Sequence, residues 1–177
     1  NIILTTGKFS SDVFSENKKF SQIINIGKPD KKEAYKIKDK IGLDKNIRIC
    51  VLPEGIDDEC YRLISFALKC AKKYKDLIFV CRFHPLTNFS KLHKAIDIKK
   101  KLPKNIIFFI SNLENDLKKS NYALYRGSAS IFTAMKNGVI PIYLKINDEI
   151  NIGISNNKYE WHLNANTPDE LYKKIVN

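Results

Sequence analysis

The chain has 177 residues, room for one domain with a sizeable core and not for two full ones. Hydrophobic residues make up 44% and charged residues 28%, which excludes a disordered chain, and no apolar run approaches the ~20 residues of a membrane-spanning helix. A formal charge of +12 admits an anionic partner, but the lysines stand in scattered pairs such as Lys72-Lys73 and Lys173-Lys174, without interleaved aromatics, so nucleic acid is not expected.

In chain order, residues 2–6 (IILTT) read as a strand, 10–16 as a helical turn and 22–26 (QIINI) as a second short strand. Residues 30–40 are polar and lysine-rich. The stretch 1–45 therefore reads as one unit and its linker, and 46–177 as another. From Asn46 a regular alternation begins. Strands are expected over 47–52, 77–82, 106–110, 122–125 and 139–144. Helices are expected over 57–74, with acids at its start and lysines at its end, over 88–101, and over 113–120 behind a cap from Ser111 or Asn112. A further helix follows Gly127, with Ser128 and Ser130 as candidate caps and Asn137-Gly138 as its stop. Thr167-Pro168-Asp169-Glu170 starts the last helix. Such alternation predicts an α/β fold: a Rossmann-like parallel sheet of about five strands with helices on both faces.

The four cysteines, Cys50, Cys60, Cys70 and Cys81, have no metal-ligand spacing and sit in apolar patterns, so they are expected to be buried, reduced thiols of a cytoplasmic protein.

Three strand ends carry chemistry, and in a parallel sheet all three fall on one rim, where such sheets bind ligands. They are Glu54-Gly55, Arg82-Phe83-His84-Pro85 and Arg126-Gly127-Ser128-Ala129-Ser130. A histidine before proline has a restricted backbone and an aimed side chain. With an arginine it can hold a phosphate, and it can give a proton to a leaving phosphate near neutral pH. Glu54 can position a hydroxyl or act as a base. Each residue also has a plainer reading: packing for the histidine, a carboxylate partner for the arginines, helix capping for the serines, a turn for Glu54-Gly55.

The order strand–helix–Arg-x-His-Pro–helix–strand–helix–strand–Gly-Ser-x-Ser–helix–Gly-x-x-Pro, over roughly residues 46–145, resembles the C-terminal nucleotide-binding domain of a GT-B glycosyltransferase. It is similar in particular to transferases of bacterial surface-polysaccharide synthesis, among them bacterial sialyltransferases with a His-Pro motif and a serine motif. The resemblance implies that His84 and Pro85, together with Ser128 and Ser130, contact the phosphate of a nucleotide-sugar such as a CMP-sugar. Gly55, Arg82, Arg126, Gly127 and Ala129, in the same strand-end loops, are expected to complete that donor site. Thr133 stands where many GT-B enzymes have a glutamate on the ribose, five residues before the helix-ending glycine. The acid-acid-Gly motif that supplies the sialyltransferase base belongs to their N-terminal domain, so the resemblance does not itself give that role to Glu54.

The implied partners are a nucleotide-sugar and a glycan acceptor, with contact to an anionic membrane surface through the lysine-rich faces. No metal or other cofactor is expected, since no Asp-x-Asp pair stands at a strand end. The implied location is the cytoplasm, peripheral on the inner face of the membrane. Most of an N-terminal domain, with the acceptor half, is expected outside these residues. The alternatives are a polyol-phosphate transferase of cell-wall polymers and a non-catalytic Rossmann-like interaction domain.

Overall fold

A computed structural model describes residues 2–5, 7–16, 21–26, 47–84, 87, 102–108, 112–153 and 162–176. Pro85, the stretch 30–40 and the helix expected over 88–101 lie outside the described residues. The chain divides into two compact units, Asn1–Ala34 and Tyr35–Asn177.

In the first unit, β1 (Ile2–Thr5) and β2 (Gln22–Asn25) pair in parallel, joined through α1 (Lys8–Ser15). The Thr5 and Ser11 hydroxyls hydrogen-bond at 2.5 Å and tie β1 to the helix. Ile2, Leu4, Ile24 and Ile26 are exposed.

The second unit carries β3 (Ile47–Leu52), α2 (Asp57–Lys73), β4 (Leu77–Cys81) and β5 (Ile106–Phe108). It continues with α3 (Leu113–Lys118), β6 (Tyr122–Tyr125), α4 (Ser130–Lys136), β7 (Ile140–Leu144), β8 (Leu163–Ala165) and α5 (Pro168–Val176). The six strands form one sheet in the order β5-β4-β3-β6-β7-β8, and every pairing is parallel. One strand more is present than the five expected. Leu163-Asn164-Ala165 is too short to show a period in the sequence and exists because Ile142, Tyr143 and Leu144 offer it an edge.

Alternate strand residues feed two apolar layers, as the strand period requires. Ile49, Val51, Phe79, Cys81, Leu124 and Ile142 pack with Leu63, Ala67, Leu171 and Ile175 of α2 and α5. Cys50, Leu52, Ala123, Tyr125 and Tyr143 pack with Leu117, Ile131 and Ala134 of α3 and α4. The fold is thus an α/β, Rossmann-like sheet covered on both faces. All four cysteines are buried and free. Burial pushes the Cys60 thiol up to about 11, those of Cys50 and Cys70 to about 12, and that of Cys81 still higher, so none is a ready nucleophile.

The helix ends follow their sequence signals. Asn112 accepts from the Asn115 N–H at 2.9 Å and caps α3. Thr167 Oγ1 accepts from the Glu170 N–H at 3.2 Å and opens α5. Gly138, at φ 69°, closes α4: its N–H reaches Met135 O at 2.9 Å and the Val139 N–H reaches Ala134 O at 3.1 Å.

The start of α4 departs from expectation. The capping position falls on Ala129, between the two serines, and carries no side-chain cap. The Ile131 and Phe132 N–H groups bond instead to the backbone carbonyls of Ser128 and Ala129, at 3.2 and 3.1 Å. Neither serine hydroxyl is the helix cap that the sequence suggested.

Candidate functional site

Strand order decides where the rim lies open. β3 has β4 on one side and β6 on the other, so the crossover direction reverses between β3 and β6. In a doubly wound sheet the ligand crevice lies outside the carboxyl ends at that reversal. The loops there are Pro53-Glu54-Gly55 after β3 and Arg126-Gly127-Ser128 after β6, with Arg82-Phe83-His84 after β4 alongside.

These loops touch. A methyl group placed on Gly127 would sit 2.5 Å from Glu54 Oε2 and 2.9 Å from both Oε1 and Cδ, so the Glu54 carboxylate lies directly on the Gly127 backbone. A methyl group on Gly55 would sit 2.9 Å from His84 Nδ1 and 3.0 Å from Cε1. Glycine at both positions is what lets a carboxylate and an imidazole approach the backbone this closely. The half-buried pair Glu54 and His84 thereby comes together with Gly55 and Gly127 across the reversal. Ser128 is buried and Ser130 half-buried at the start of α4, with Ala129 exposed between them, and Thr133 is half-buried one turn further on.

Glu54 is electrostatically unusual. Burial raises its carboxyl above the ordinary range and Glu59 adds to the shift, while Arg126 and His84 pull it back. Its Oε1 is buried without a hydrogen-bond partner. A buried carboxylate oxygen costs free energy until something donates to it. Gly127→Ala should therefore drive the Glu54 carboxylate from its place while leaving the backbone unstrained. We expect urea unfolding to change by less than ~1 kcal/mol.

Both arginines face carboxylates. Arg82 pairs with Asp116 of α3. Arg126 is only 4% exposed, with Nε 2.5 Å from Glu59 Oε2 and Nη2 2.8 Å from Glu149 Oε2. The Nε–H is not directed along the line to Glu59, so that contact is an ion pair rather than a hydrogen bond. Arg62 of α2 holds the other oxygen of Glu149. Sequence reasoning did not single out Glu59 or Glu149. Glu59 looks like one more acid in the first turn of α2, and Glu149 like one more polar residue in a loop.

A second polar group lies beyond this rim. His162 is buried, and its Nε2 is 2.6 Å from the Tyr125 hydroxyl, with the Tyr143 ring stacked 6.4 Å away. Burial lowers its pKa. The unfolded chain therefore binds a proton that the folded chain refuses, and stability falls as pH drops below the unfolded value of about 6.5. We expect the melting temperature to decline from pH 7.5 to 5.5, and His162→Gln to flatten that slope. An equal slope in the variant would exclude His162 as its source.

Among the described residues no helix is long and apolar enough to cross a membrane. No protein-family model matches the sequence. No curated protein sequence matches it. Among solved structures the chain is similar to the glycosyltransferase SnogD from Streptomyces nogalater, at 18% identity and a TM-score of 0.40, over 56% of this chain and 25% of that one.

Proposed function

We propose that this chain is the donor-binding half of a glycosyltransferase that moves a sugar from a nucleotide-sugar, a CMP-sugar among the candidates, to a surface glycan. The observation that carries the reading is the meeting of Glu54, Gly55, His84 and Gly127 at the reversal of a doubly wound sheet. A nucleotide on that rim would set its phosphate against His84 and the Gly127–Ser130 turn. As the acceptor hydroxyl oxygen bonds to the anomeric carbon and gives its proton to a base of the acceptor half, the bond from that carbon to the phosphate oxygen breaks and its electron pair goes to that oxygen. His84 and the Ser128 and Ser130 hydroxyls then stabilise or protonate the oxygen. Glu54, with an oxygen lacking a donor, suits a hydroxyl group. Arg82, tied to Asp116, acts from behind the rim.

In this reading no metal is called upon, and the acceptor and most of its binding surface belong to residues beyond this chain. The lysine-rich exterior would favour the inner, anionic face of a membrane. No sedimentation with anionic vesicles at low salt would remove that element.

The test is turnover by the full-length protein with CMP-, UDP- and GDP-sugars and a CDP-polyol, analysed by the mass of the acceptor product. Addition of a sugar without phosphorus supports the proposal. Addition of a polyol phosphate would assign the chain to the cell-wall polymer transferases. No product from any donor would favour a non-catalytic interaction domain.

A further inference from the structure

The segment that follows β7, residues 145–153, leaves the carboxyl end of the sheet and is mostly exposed. Residues 147–152 are all exposed, Ile150 by 85%. Asp148 adopts a left-handed backbone, φ 64°, the only described residue other than glycine to do so. Glu149 beside it reaches inward, with one oxygen on Arg62 of α2 and the other 2.8 Å from Arg126 Nη2. The Tyr143 hydroxyl accepts from the Ile152 N–H at 3.1 Å.

Arg126 immediately precedes the Gly127–Ser130 turn. Its guanidinium is otherwise engaged by Glu59 and, at 3.5 Å, by the Leu144 carbonyl. The outward-facing ligand of a nearly buried guanidinium is thus a carboxylate on an exposed segment. A guanidinium binds carboxylate and phosphate through the same paired N–H geometry. Glu149 is a permanent anion in this position, since Arg62 first and Arg126 second hold its carboxyl below the usual range.

We propose that Glu149 is a built-in stand-in for a phosphoryl anion at Arg126, and that an incoming phosphate displaces it, so that residues 145–153 form a strap that loosens when the anion site fills. The proposal rests on the donor-site reading for the identity of the phosphate, but not for the exchange itself. Arg62, exposed at the surface, keeps hold of Glu149 when Arg126 lets go, so the strap swings outward and does not detach. Because the competing carboxylate is tethered, it acts at a high local concentration and lowers the apparent affinity for every anion.

The test is hydrogen exchange of residues 145–153 in the full chain, with and without saturating pyrophosphate, at ionic strength matched with sodium chloride. Wild type should exchange several-fold faster in the strap once pyrophosphate is bound. Glu149→Gln should exchange fast from the start, show no further change, and bind pyrophosphate about tenfold more tightly. Three outcomes would overturn the proposal: pyrophosphate bound with the strap unchanged, no tighter binding by Glu149→Gln, or no binding by either protein. Parallel samples with CMP, CDP, UDP and GDP separate this from the donor reading. Strap release by pyrophosphate with no nucleotide binding keeps the exchange and removes the nucleotide-sugar. Nucleotide binding with a static strap does the reverse.

Discussion

On the proposed reading, His84→Ala lowers kcat/KM of the full-length protein by ~10²-fold or more, the ordinary contribution of a positioned proton donor. The expectation rests on placement. His84 lies three residues beyond the end of β4, is half-buried, and has its ring against Gly55 on the rim beside the reversal between β3 and β6. A histidine there that served packing alone would lower stability on truncation and leave the rate per folded molecule intact. The assay is therefore run beside a urea titration of the same variant, and the rate is normalised to folded protein. A normalised rate equal to wild type would remove His84 from the mechanism.

Arg126→Ala destabilises the fold by about 2–3 kcal/mol, below the full cost of orphaning a deeply buried charge. The arginine is 4% exposed, but its two carboxylate partners have side chains 17% and 33% exposed, and solvent takes up part of the loss. Arg126→Lys restores little, because a single ammonium cannot span Glu59 and Glu149 as the planar guanidinium does. The urea midpoint of both variants is the measurement. Unchanged midpoints would mean that the Glu59–Arg126–Glu149 cluster contributes nothing net, as many exposed ion pairs do.

Much of this structure was legible in the sequence because burial leaves a periodic mark. The apolar runs of β3, β4, β6 and β7 identify central parallel strands. The acids Asp57, Asp58 and Glu59 and the lysines Lys72 and Lys73 mark both ends of α2. β8 left no such mark, since three residues at a sheet edge take their conformation from the neighbouring strand. The serine caps were misread because a strand-to-helix turn can start one residue off. With Ala129 at the capping position, both hydroxyls fall out of register with the helix N–H groups.

At the rim, the sequence identified which loops converge but not what each side chain meets. Arg126 looks like a ligand contact from its motif alone. Its partners lie in α2 and in the segment after β7, and only the folded sheet brings them together. The two glycines were legible as turns, whereas their closeness to Glu54 and His84 depends on the order of strands across the reversal.

The most direct measurement is a thermal-shift titration of the full-length protein with CMP, CDP, UDP and GDP, with Gly127→Ala alongside. A ligand that binds only the folded state stabilises it by RT ln(1 + [L]/Kd), ~2.7 kcal/mol at a hundredfold excess over Kd. At least one nucleotide should raise the melting temperature of wild type and raise that of Gly127→Ala much less. No rise with any of the four, or an equal rise in the variant, would contradict a nucleotide site at the junction of β3 and β6.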